Sequence, residues 1–293
     1  MNRRSVNKPH LIVGCDGLIG HALFSRLEDI SPDCVIGTTR RDTQTSRLIP
    51  LDLETYGPDV SLPSAIGSAY LLAGITNIVA CEQNPATSHL VNVEHTLALA
   101  RDLAAQGAHV IFASTNLVFD GRASFMAPNA PVSPQTSYAR QKAEVEAALL
   151  STGGASILRI SKVVETLRPL IESWAGDLLA QRVIHPFSDR ACSPVRLDHV
   201  VSAFQLLGER RHAGLYQLGG ARNITYAEIA FQLAAHMGAP ADLVQPVHGP
   251  PISSGGPHTT MRSSDIFSDL LPSGGDITLT SLFRTFVAPA PRT

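Results

Sequence analysis

Short apolar runs alternate with longer amphipathic stretches along the first half of the chain. The runs predict strands, and stretches with apolar residues at helical spacing, such as Leu18, Leu23 and Leu27, predict helices. Predicted strands cover 11–13, 34–36, 48–51, 69–73, 109–113 and 155–160, and predicted helices cover 18–27, 91–105 and 137–150. Continuous apolar strands separated by helices are typical of a parallel sheet covered on both faces. The pattern therefore predicts an α/β fold with a Rossmann-type doubly wound parallel sheet.

The alternation loosens after residue 160. Helices are predicted at 167–179, 200–207 and 226–237, strands at 182–185 and 215–218, and a loop rich in Gly, Pro and Ser at 247–259. We therefore expect a first domain over residues 1–160, to which segments near 195–220 return. A smaller C-terminal α/β part is expected over 161–293.

Composition narrows the class of protein. The 293 residues are 44% apolar and carry a formal net charge of -2, so no basic surface indicates nucleic-acid binding. The four cysteines contain no CxxC pair, which favours reduced thiols over disulfides or zinc. The longest apolar run, 66–80, is too short and too interrupted for a transmembrane helix. We expect a soluble, cytoplasmic protein without a metal, a nucleic-acid partner or a membrane partner.

A glycine motif follows the first predicted strand. Gly14, Gly17 and Gly20 stand in the sequence GCDGLIG, directly before the first predicted helix. Glycines at such a junction allow a tight turn and close approach of the backbone to a pyrophosphate, which binds the free N–H groups of the helix. At the first strand–helix junction of a βαβ pattern, this motif predicts dinucleotide binding.

The end of the second predicted strand indicates which dinucleotide binds. A protein that binds NAD usually places an acidic residue there to hold the ribose 2′-hydroxyl, whereas this chain has Thr38, Thr39, Arg40 and Arg41. Guanidinium groups can bind a 2′-phosphate bidentately. NADP(H) is therefore favoured over NAD(H). The alternative is that both arginines are solvated loop residues.

Two further features carry candidate chemistry. Tyr138 and Lys142 are four residues apart on a predicted helix, so they share one face, and a lysine ammonium is expected to lower the pKa of a neighbouring phenol. Ser114 and Thr115 end the strand that begins at His109. The carboxyl edge of a parallel sheet is where α/β proteins bind ligands, so these hydroxyls are expected near the same crevice.

The chain resembles the extended short-chain dehydrogenase/reductases, and most closely their dTDP-4-dehydrorhamnose reductase-like group. The similarity rests on motifs along nearly the whole chain. They are GCDGLIG at 14–20, LDL at 51–53, AGIT at 73–76, CEQNP at 81–85 with the following Asn92, STNLVFDG at 114–121, SYARQKAEVE at 137–146, LRISKVV at 158–164, SPVRLDHVV at 193–201, GLYQLGG at 214–220 and TTMRSSDIFSDL at 259–270.

The resemblance implies a role for each matching residue. Tyr138 would be the proton donor, Lys142 would bind the nicotinamide ribose and tune Tyr138, and Thr115 would bind the reacting carbonyl. Adjacent strand residues face opposite ways, and the family pattern selects Thr115 over Ser114. Asn92 would bind backbone or water in a proton relay. The remaining cofactor contacts would come from Gly14, Gly17, Leu18, Ile19, Thr39, Arg40, Arg41, Asp52, Leu53, Ala73, Gly74 and Ile75.

The resemblance also implies a function and a substrate class. It predicts NADP(H)-dependent reduction of a keto group on a nucleotide-linked deoxysugar, with residues 161–293 mainly binding the substrate. Helices 92–105 and 138–150 would form a homodimer interface, by analogy alone. One departure stands out: Asn116 and Leu117 occupy positions where the family has Asp and Tyr. The missing carboxylates also argue against sugar 4,6-dehydration.

Two other functions stay open at this stage. The first is a non-catalytic NAD(P)-binding regulatory subunit, the role of the methionine adenosyltransferase regulatory subunit on the same fold. The second is an NAD(P)-dependent sugar-nucleotide epimerase, which would use the same Thr, Tyr and Lys and retain its cofactor tightly.

Overall fold

The computed structural model describes residues 8–41, 47–249, 256, 258–270, 279 and 283. The chain divides into two compact units. The first comprises the chain up to Val118 together with 132–159 and 198–216; the second comprises 119–131, 160–197 and the chain from Gln217 onward. The loop predicted at 247–259 lies partly outside the described residues, at 250–255 and 257.

Strands and helices alternate along the chain, and in its first half they follow the apolar pattern. The elements are β1 (His10–Val13), α1 (Leu18–Ile30), β2 (Val35–Thr39), β3 (Leu48–Pro50), β4 (Ser68–Leu71), α2 (Ile78–Gln83), α3 (Pro85–His89), a π-helical turn (Leu90–His95), α4 (Thr96–Ala105), β5 (His109–Thr115), a 3₁₀ turn (Asn116–Val118), α5 (Ser137–Thr152), β6 (Ala155–Ile160), a second 3₁₀ turn (Val164–Leu167), α6 (Arg168–Leu179), β7 (Ala191–Cys192), α7 (Leu197–Arg210), β8 (Gly214–Leu218), β9 (Ile224–Thr225) and α8 (Tyr226–Met237).

Seven strands form one sheet in the order β3-β2-β1-β4-β5-β6-β8. Strand β1 pairs in parallel with β2 and β4, β2 with β3, and β4 with β5. Strands β4 and β6 are buried at every position, which explains why apolar residues in them do not alternate with exposed polar ones. The prediction of a Rossmann-type doubly wound sheet is confirmed.

The strand order places the crevice of the first unit. From β1 the chain builds β2 and β3 on one side of the sheet, and then β4 and β5 on the other. The reversal lies between β1 and β4, whose last residues Val13 and Leu71 are in register. In open α/β sheets, ligands bind outside the carboxyl ends of strands at such a reversal. The loops that follow these two strands contain Gly14 and Ala73.

The second unit has its own core. Helices α6 and α8 contribute many of its buried side chains, among them Ile171, Trp174, Leu178, Ile229 and Leu233. Strands β7 and β9 pair antiparallel beside them. Thr225 caps α8 in a reciprocal capping box with Glu228, and Gly238 ends that helix in the left-handed conformation.

Some predicted elements differ from those observed. Residues 182–185 were predicted as a strand, but they form only an isolated bridge between Ile184 and Val244, so that prediction was wrong. The helix predicted at 91–105 begins as the π-helical turn. Helices α2 and α3 and strands β7 and β9 were not predicted, because two to six residues are too few to show a period. No helix in the described part of the chain is long and apolar enough to span a bilayer.

Candidate active site

The glycine motif forms the turn between β1 and α1. Gly14 has φ of +99°, and a Cβ atom there would lie 2.9 Å from the Ala73 backbone nitrogen. A Cβ atom at Gly20 would lie 2.1 Å from the Gly14 carbonyl oxygen. At Gly17 the same oxygen would be the nearest atom, at 3.5 Å, which is an ordinary contact. The chain's own packing therefore requires glycine at positions 14 and 20, whereas Gly17 leaves open space beside the helix.

The start of α1 fits an anionic group. Gly17 is the residue before the helix, has extended backbone and offers no side chain to cap it. The first N–H groups of any α-helix, here beginning with Leu18 and Ile19, lack intrahelical acceptors. Backbone donors and the positive end of the helix dipole suit a pyrophosphate. The open space at Gly17 and these donors together meet the requirement of a dinucleotide.

The residues at the end of β2 gather around one carboxylate. Thr39 donates its hydroxyl to Asp16 Oδ2 at 2.8 Å, and the Arg40 N–H donates to the same oxygen at 3.4 Å. Arg41 Nε lies 3.8 Å from Asp16 Oδ1. The Thr39 hydrogen bond, with the arginines, lowers the pKa of Asp16. A carboxylate thus stands where the sequence predicts arginine contacts to a 2′-phosphate, although the Arg41 side chain is 81% exposed.

Asn92 fixes the loop that follows β4. Its side chain, within the π-helical turn, accepts from the Ile75 N–H at 2.8 Å and donates to the Ile75 carbonyl at 2.9 Å. It also donates to Gln141 Oε1 on α5 at 2.8 Å. Gly74 has φ of +153°, and a Cβ atom there would lie 2.8 Å from Asn92 Oδ1. Asn92 therefore ties the predicted cofactor-lining residues 73–75 to α5, and its place in a proton relay stays a prediction.

The residues predicted to touch adenine lie in the loop after β3. Asp52 is half-buried, and its Oδ1 accepts from the Glu54 N–H at 2.9 Å. The Leu53 side chain is buried in the core of the first unit, and its carbonyl oxygen contacts His95 Nδ1. Any contact from Leu53 to adenine would therefore come from its backbone. The adenine contact itself stays a prediction for both residues.

Tyr138 and Lys142 lie one turn apart on α5. Lys142 Nζ donates to the Ala113 carbonyl at 3.0 Å, and lies 4.5 Å from the centre of the Phe112 ring and 5.8 Å from that of Tyr138. Burial lowers the pKa of Lys142 to about 8, while the Glu146 carboxylate acts to raise it. The lysine therefore joins α5 to the end of β5 as a buried group whose charge depends on its neighbours.

The pKa of Tyr138 differs from the expectation. Burial raises it to about 12, and the Cys81 thiol acts in the same direction. The predicted lowering by Lys142 is wrong for this structure, because desolvation of the phenol dominates. Among the described residues, none forms a hydrogen bond with the Tyr138 hydroxyl. At neutral pH the phenol is protonated and can donate a proton.

Ser114 and Thr115 differ in their surroundings at the end of β5. Ser114 Oγ donates to Glu146, whose carboxylate also accepts from Arg159 Nε at 3.0 Å. Thr115 Oγ1 accepts from the Leu117 N–H at 3.2 Å, which leaves its own hydrogen to be donated. Ser114 is thus committed to a buried ion pair. The predicted contact of Thr115 with a carbonyl remains a prediction.

Two supporting residues, Glu82 and Gln141, were not predicted from the sequence. Glu82 accepts from the Ser137 N–H at 2.6 Å and from Ser137 Oγ at 2.9 Å, so it caps α5 one residue before Tyr138. Gln141 donates to Ser88 Oγ at 2.8 Å besides accepting from Asn92. In the sequence, Glu82 stands within the CEQNP motif and Gln141 stands within the YxxxK motif. Neither spacing reveals a partner more than 40 residues away.

These contacts connect the predicted site residues into one region of the first unit. The glycine loop meets Ala73, the 73–75 loop meets α5 through Asn92, and α5 meets β5 through Lys142. Arg40 and Arg41 join the glycine loop through Asp16. In the described part of the chain, no group of three or more His, Cys, Asp or Glu side chains could hold a metal ion.

Comparison with known proteins places this arrangement in a family. The family model described as "RmlD substrate binding domain" matches residues 9–262. Methionine adenosyltransferase 2 subunit beta from Xenopus tropicalis is 26% identical over 266 residues, covering 83% of this chain and 76% of that protein. The corresponding protein from Rattus norvegicus is 25% identical over 264 residues, covering 83% and 76%.

Solved structures show the same fold. The dTDP-4-dehydrorhamnose reductase from Yersinia enterocolitica superposes with a TM-score of 0.76 at 21% identity, covering 96% of this chain and 100% of that one. DesIV, a dTDP-glucose 4,6-dehydratase from Streptomyces venezuelae solved with NAD bound, superposes with a TM-score of 0.76 at 19% identity, covering 95% of each chain.

Proposed function

Because the chain belongs to the RmlD substrate binding domain family, we propose that it is an NADP(H)-dependent reductase of a keto group on a nucleotide-linked deoxysugar. The observation that carries the proposal is the Tyr138 hydroxyl, which is protonated at neutral pH and forms no hydrogen bond with any other described residue. It lies on the same helix face as the buried Lys142, which is joined to the strand that ends in Thr115. These features support carbonyl reduction with Tyr138 as the proton donor.

Each residue has a defined task in the proposed reaction. The nicotinamide cofactor, when bound, supplies the hydride for the carbonyl carbon. Tyr138 donates its phenolic proton to the carbonyl oxygen, a general acid step. Thr115 donates a hydrogen bond to the same oxygen, since its Oγ1 already accepts from Leu117 and its hydrogen is available. Lys142 binds ribose hydroxyls and stabilises the phenolate left on Tyr138. Glu82 and Asn92 keep α5 and the 73–75 loop in place.

NADP(H) is proposed over NAD(H). Arg40 and Arg41 directly follow β2, where a protein that binds NAD usually carries an acidic residue. The exposed guanidinium of Arg41 can reach a 2′-phosphate, although Asp16 lies beside it and opposes the phosphate charge. We therefore expect a preference for NADP(H) that is moderate rather than absolute.

The proposal is tested by turnover with nucleotide-linked sugars. Purified protein is mixed with NADPH and a panel of nucleotide-linked 4-keto-6-deoxysugars, and the loss of NADPH absorbance is followed together with the reduced sugar. Lys142→Met should lower turnover on the order of 10²-fold or more, and Lys8→Met, at an exposed lysine, serves as the matched control. Absence of turnover with every keto sugar, or full activity in Lys142→Met, would overturn the proposal.

A second candidate is a regulatory subunit that binds NAD(P)(H) without turnover. It is favoured by the curated relatives, which are named as a beta subunit of methionine adenosyltransferase, and by Asn116 and Leu117 at positions where reductases of the family carry Asp and Tyr. In that case NADPH should raise the thermal unfolding temperature in proportion to its affinity, while no keto sugar is consumed.

The assembly and location belong to the same proposal. A homodimer through helices 92–105 and 138–150 is expected by analogy and is checked by sedimentation velocity. A cytoplasmic location is in keeping with four free cysteines, three of which are buried.

A further inference from the structure

A buried network lies directly behind the candidate site. Glu146 and Arg159 form an ion pair whose side chains are only 4% and 3% exposed. Arg159 Nη2 donates to Glu146 Oε2 at 2.6 Å, and Arg159 Nε donates to both carboxylate oxygens at 3.0 and 3.1 Å. Ser114 adds a hydroxyl donor from the end of β5. The carboxylate therefore accepts four hydrogen bonds inside the protein.

The position of Glu146 relates this network to the chemistry. Tyr138, Lys142 and Glu146 are spaced four residues apart, so they lie on one face of α5 in successive turns. Lys142 faces the Ala113 carbonyl and the Phe112 ring from β5, and the Cys81 thiol of α2 is near enough to act on its charge. Of the groups around Lys142, Glu146 supplies the full negative charge, because burial raises the pKa of Cys81 and keeps its thiol neutral.

A buried lysine needs such a charge. Desolvation disfavours the ammonium form, and the neighbouring carbonyl and aromatic ring supply only partial charges. A buried carboxylate, in turn, is unfavourable unless it is paired and hydrogen-bonded. Arg159 and Ser114 provide the donors for Glu146. Arg159 on β6 thus acts on the charge of Lys142 through Glu146, which lies between them on α5.

We propose that Glu146, bonded by Arg159 and Ser114, is a positioning residue whose carboxylate favours the charged form of Lys142 and so keeps the Tyr138–Lys142 pair competent for proton transfer. The link to catalysis rests on the proposed reductase function, whereas the effect on the charge of Lys142 does not. Ser114 and Thr115 then have separate tasks. Ser114 serves the network behind the site, and Thr115 serves the carbonyl.

The test uses the small number of lysines in the chain. Lys8, Lys142 and Lys162 are the three lysines of the sequence, so a protein labelled with carbon-13 lysine gives three side-chain signals, and Lys142→Arg identifies the one of interest. Titration by NMR should give Lys142 a pKa of about 8 in the wild type. In Glu146→Gln the value should fall by about one pH unit or more. The signals of Lys8 and Lys162 are internal controls and should titrate alike in both proteins.

A second variant keeps the test decisive if Glu146→Gln does not fold, because that change leaves the Arg159 charge buried without its partner. The double variant Glu146→Gln/Arg159→Met removes both charges, and the pKa of Lys142 should again fall, by less than in the single variant. Ser114→Ala, which removes one donor, should shift it least. A Lys142 titration that is the same in wild type and in the folded Glu146 variants would overturn the proposal and leave the ion pair a purely structural one.

Turnover supplies an independent readout. If the wild type reduces a keto sugar, the alkaline limb of its pH–kcat profile should move to lower pH in the Glu146 variants by the same amount as the Lys142 titration. A wild type without turnover would count against the reductase function alone, because the NMR titration is measured without substrate.

Discussion

Polar side chains lie at both ends of the parallel strands in the first unit, called here the amino edge and the carboxyl edge, and they differ in whether they are hydrogen-bonded. At the amino edge, the Tyr70 hydroxyl bonds His10 Nδ1 at 3.1 Å, and the His109 ring bonds Ser156 Oγ at 2.8 Å. At the carboxyl edge, no other described residue bonds the Tyr138 hydroxyl. Desolvation raises the pKa of both tyrosines, although Tyr70 is fully buried and Tyr138 is half-buried. They differ in whether the hydroxyl already has a partner.

This difference separates a structural polar cluster from a reactive one. Buried polar groups are normally paired, since an unmet donor is unfavourable. The amino edge follows that rule through backbone acceptors as well, with Ser68 Oγ donating to the Gly208 carbonyl at 2.8 Å and Ser156 Oγ to the His212 carbonyl at 2.7 Å. Tyr138 is only half-buried, so its hydroxyl is not enclosed like that of Tyr70 and stays available to a reacting oxygen, as a proton donor needs.

The largest expected effect comes from removing each of the two tyrosine hydroxyls in turn and comparing the results. Tyr138→Phe should lower kcat by about 10²–10⁴-fold with little change in stability, because it removes the proton donor. Tyr70→Phe should leave kcat unchanged and lower the free energy of unfolding by about 1 kcal/mol, because it breaks the bond to His10. Steady-state kinetics and urea unfolding measure the two. Equal loss of activity in both variants would erase the distinction between the edges.

The second prediction concerns the close packing of Gly208 against the Tyr70 hydroxyl at the amino edge. A Cβ atom at Gly208 would lie 1.8 Å from the Tyr70 hydroxyl oxygen. Gly208→Ala should therefore lower the free energy of unfolding by about 1–3 kcal/mol, measured by urea unfolding.

A helical glycine elsewhere provides its control. A Cβ atom at Gly176 would meet nothing within 4 Å, so Gly176→Ala should stabilise by up to about 1 kcal/mol. Adding Tyr70→Phe should restore part of the loss in Gly208→Ala, since it removes the crowded oxygen. A Gly208→Ala variant as stable as Gly176→Ala would show that the fit around Tyr70 is loose.

The third prediction is a pH dependence of stability from the amino edge. Burial, with Arg211, lowers the pKa values of His10 and His109, and Glu209 partly opposes this at His10. In the unfolded chain these imidazoles titrate near the ordinary value of about 6.5. The unfolded state thus binds more protons below that pH, so their contribution is complete above about 6.5 and is lost as the pH falls towards the lower folded values.

Urea unfolding at several pH values between roughly neutral and mildly acidic measures this contribution. The double variant His10→Gln/His109→Gln should lose stability less steeply with falling pH than the wild type. Identical pH dependence in the two proteins would show that these histidines are as easily protonated in the fold as outside it.

The smallest expected effect lies at the carboxyl edge, where Asp16 accompanies the arginines. Asp16→Asn removes the negative charge beside Arg41 and should raise the preference for NADPH over NADH by roughly two- to fivefold, the range of a partly exposed ion pair. Dissociation constants for both cofactors, measured by fluorescence, give the ratio. An unchanged ratio would mean that Arg41 does not reach the 2′-phosphate, as in the alternative that both arginines are solvated.

Much of the fold and part of the candidate site could be predicted from local pattern. The continuous apolar strands indicated the parallel sheet, and GCDGLIG indicated the turn that packs against Ala73. The partners could not be predicted. Glu82 and Ser137 are 55 residues apart in the sequence, and Ser88 and Gln141 are 53 residues apart. Only the fold brings each pair together. The pKa of Tyr138 was misjudged for the same reason, since burial is a property of the folded chain.

The sequence by itself determined the main strands and helices of the sheet, the glycine turn, and the presence of Ser114, Thr115, Tyr138 and Lys142 near the carboxyl ends of its strands, because these follow from periodicity and from short motifs. The tertiary structure alone decided that Ser114 bonds Glu146 while Thr115 keeps its hydrogen free. Side-chain alternation says that neighbouring strand residues face apart. Which face meets Glu146 and Arg159 depends on how α5 and β6 pack against β5, and no local pattern encodes that packing.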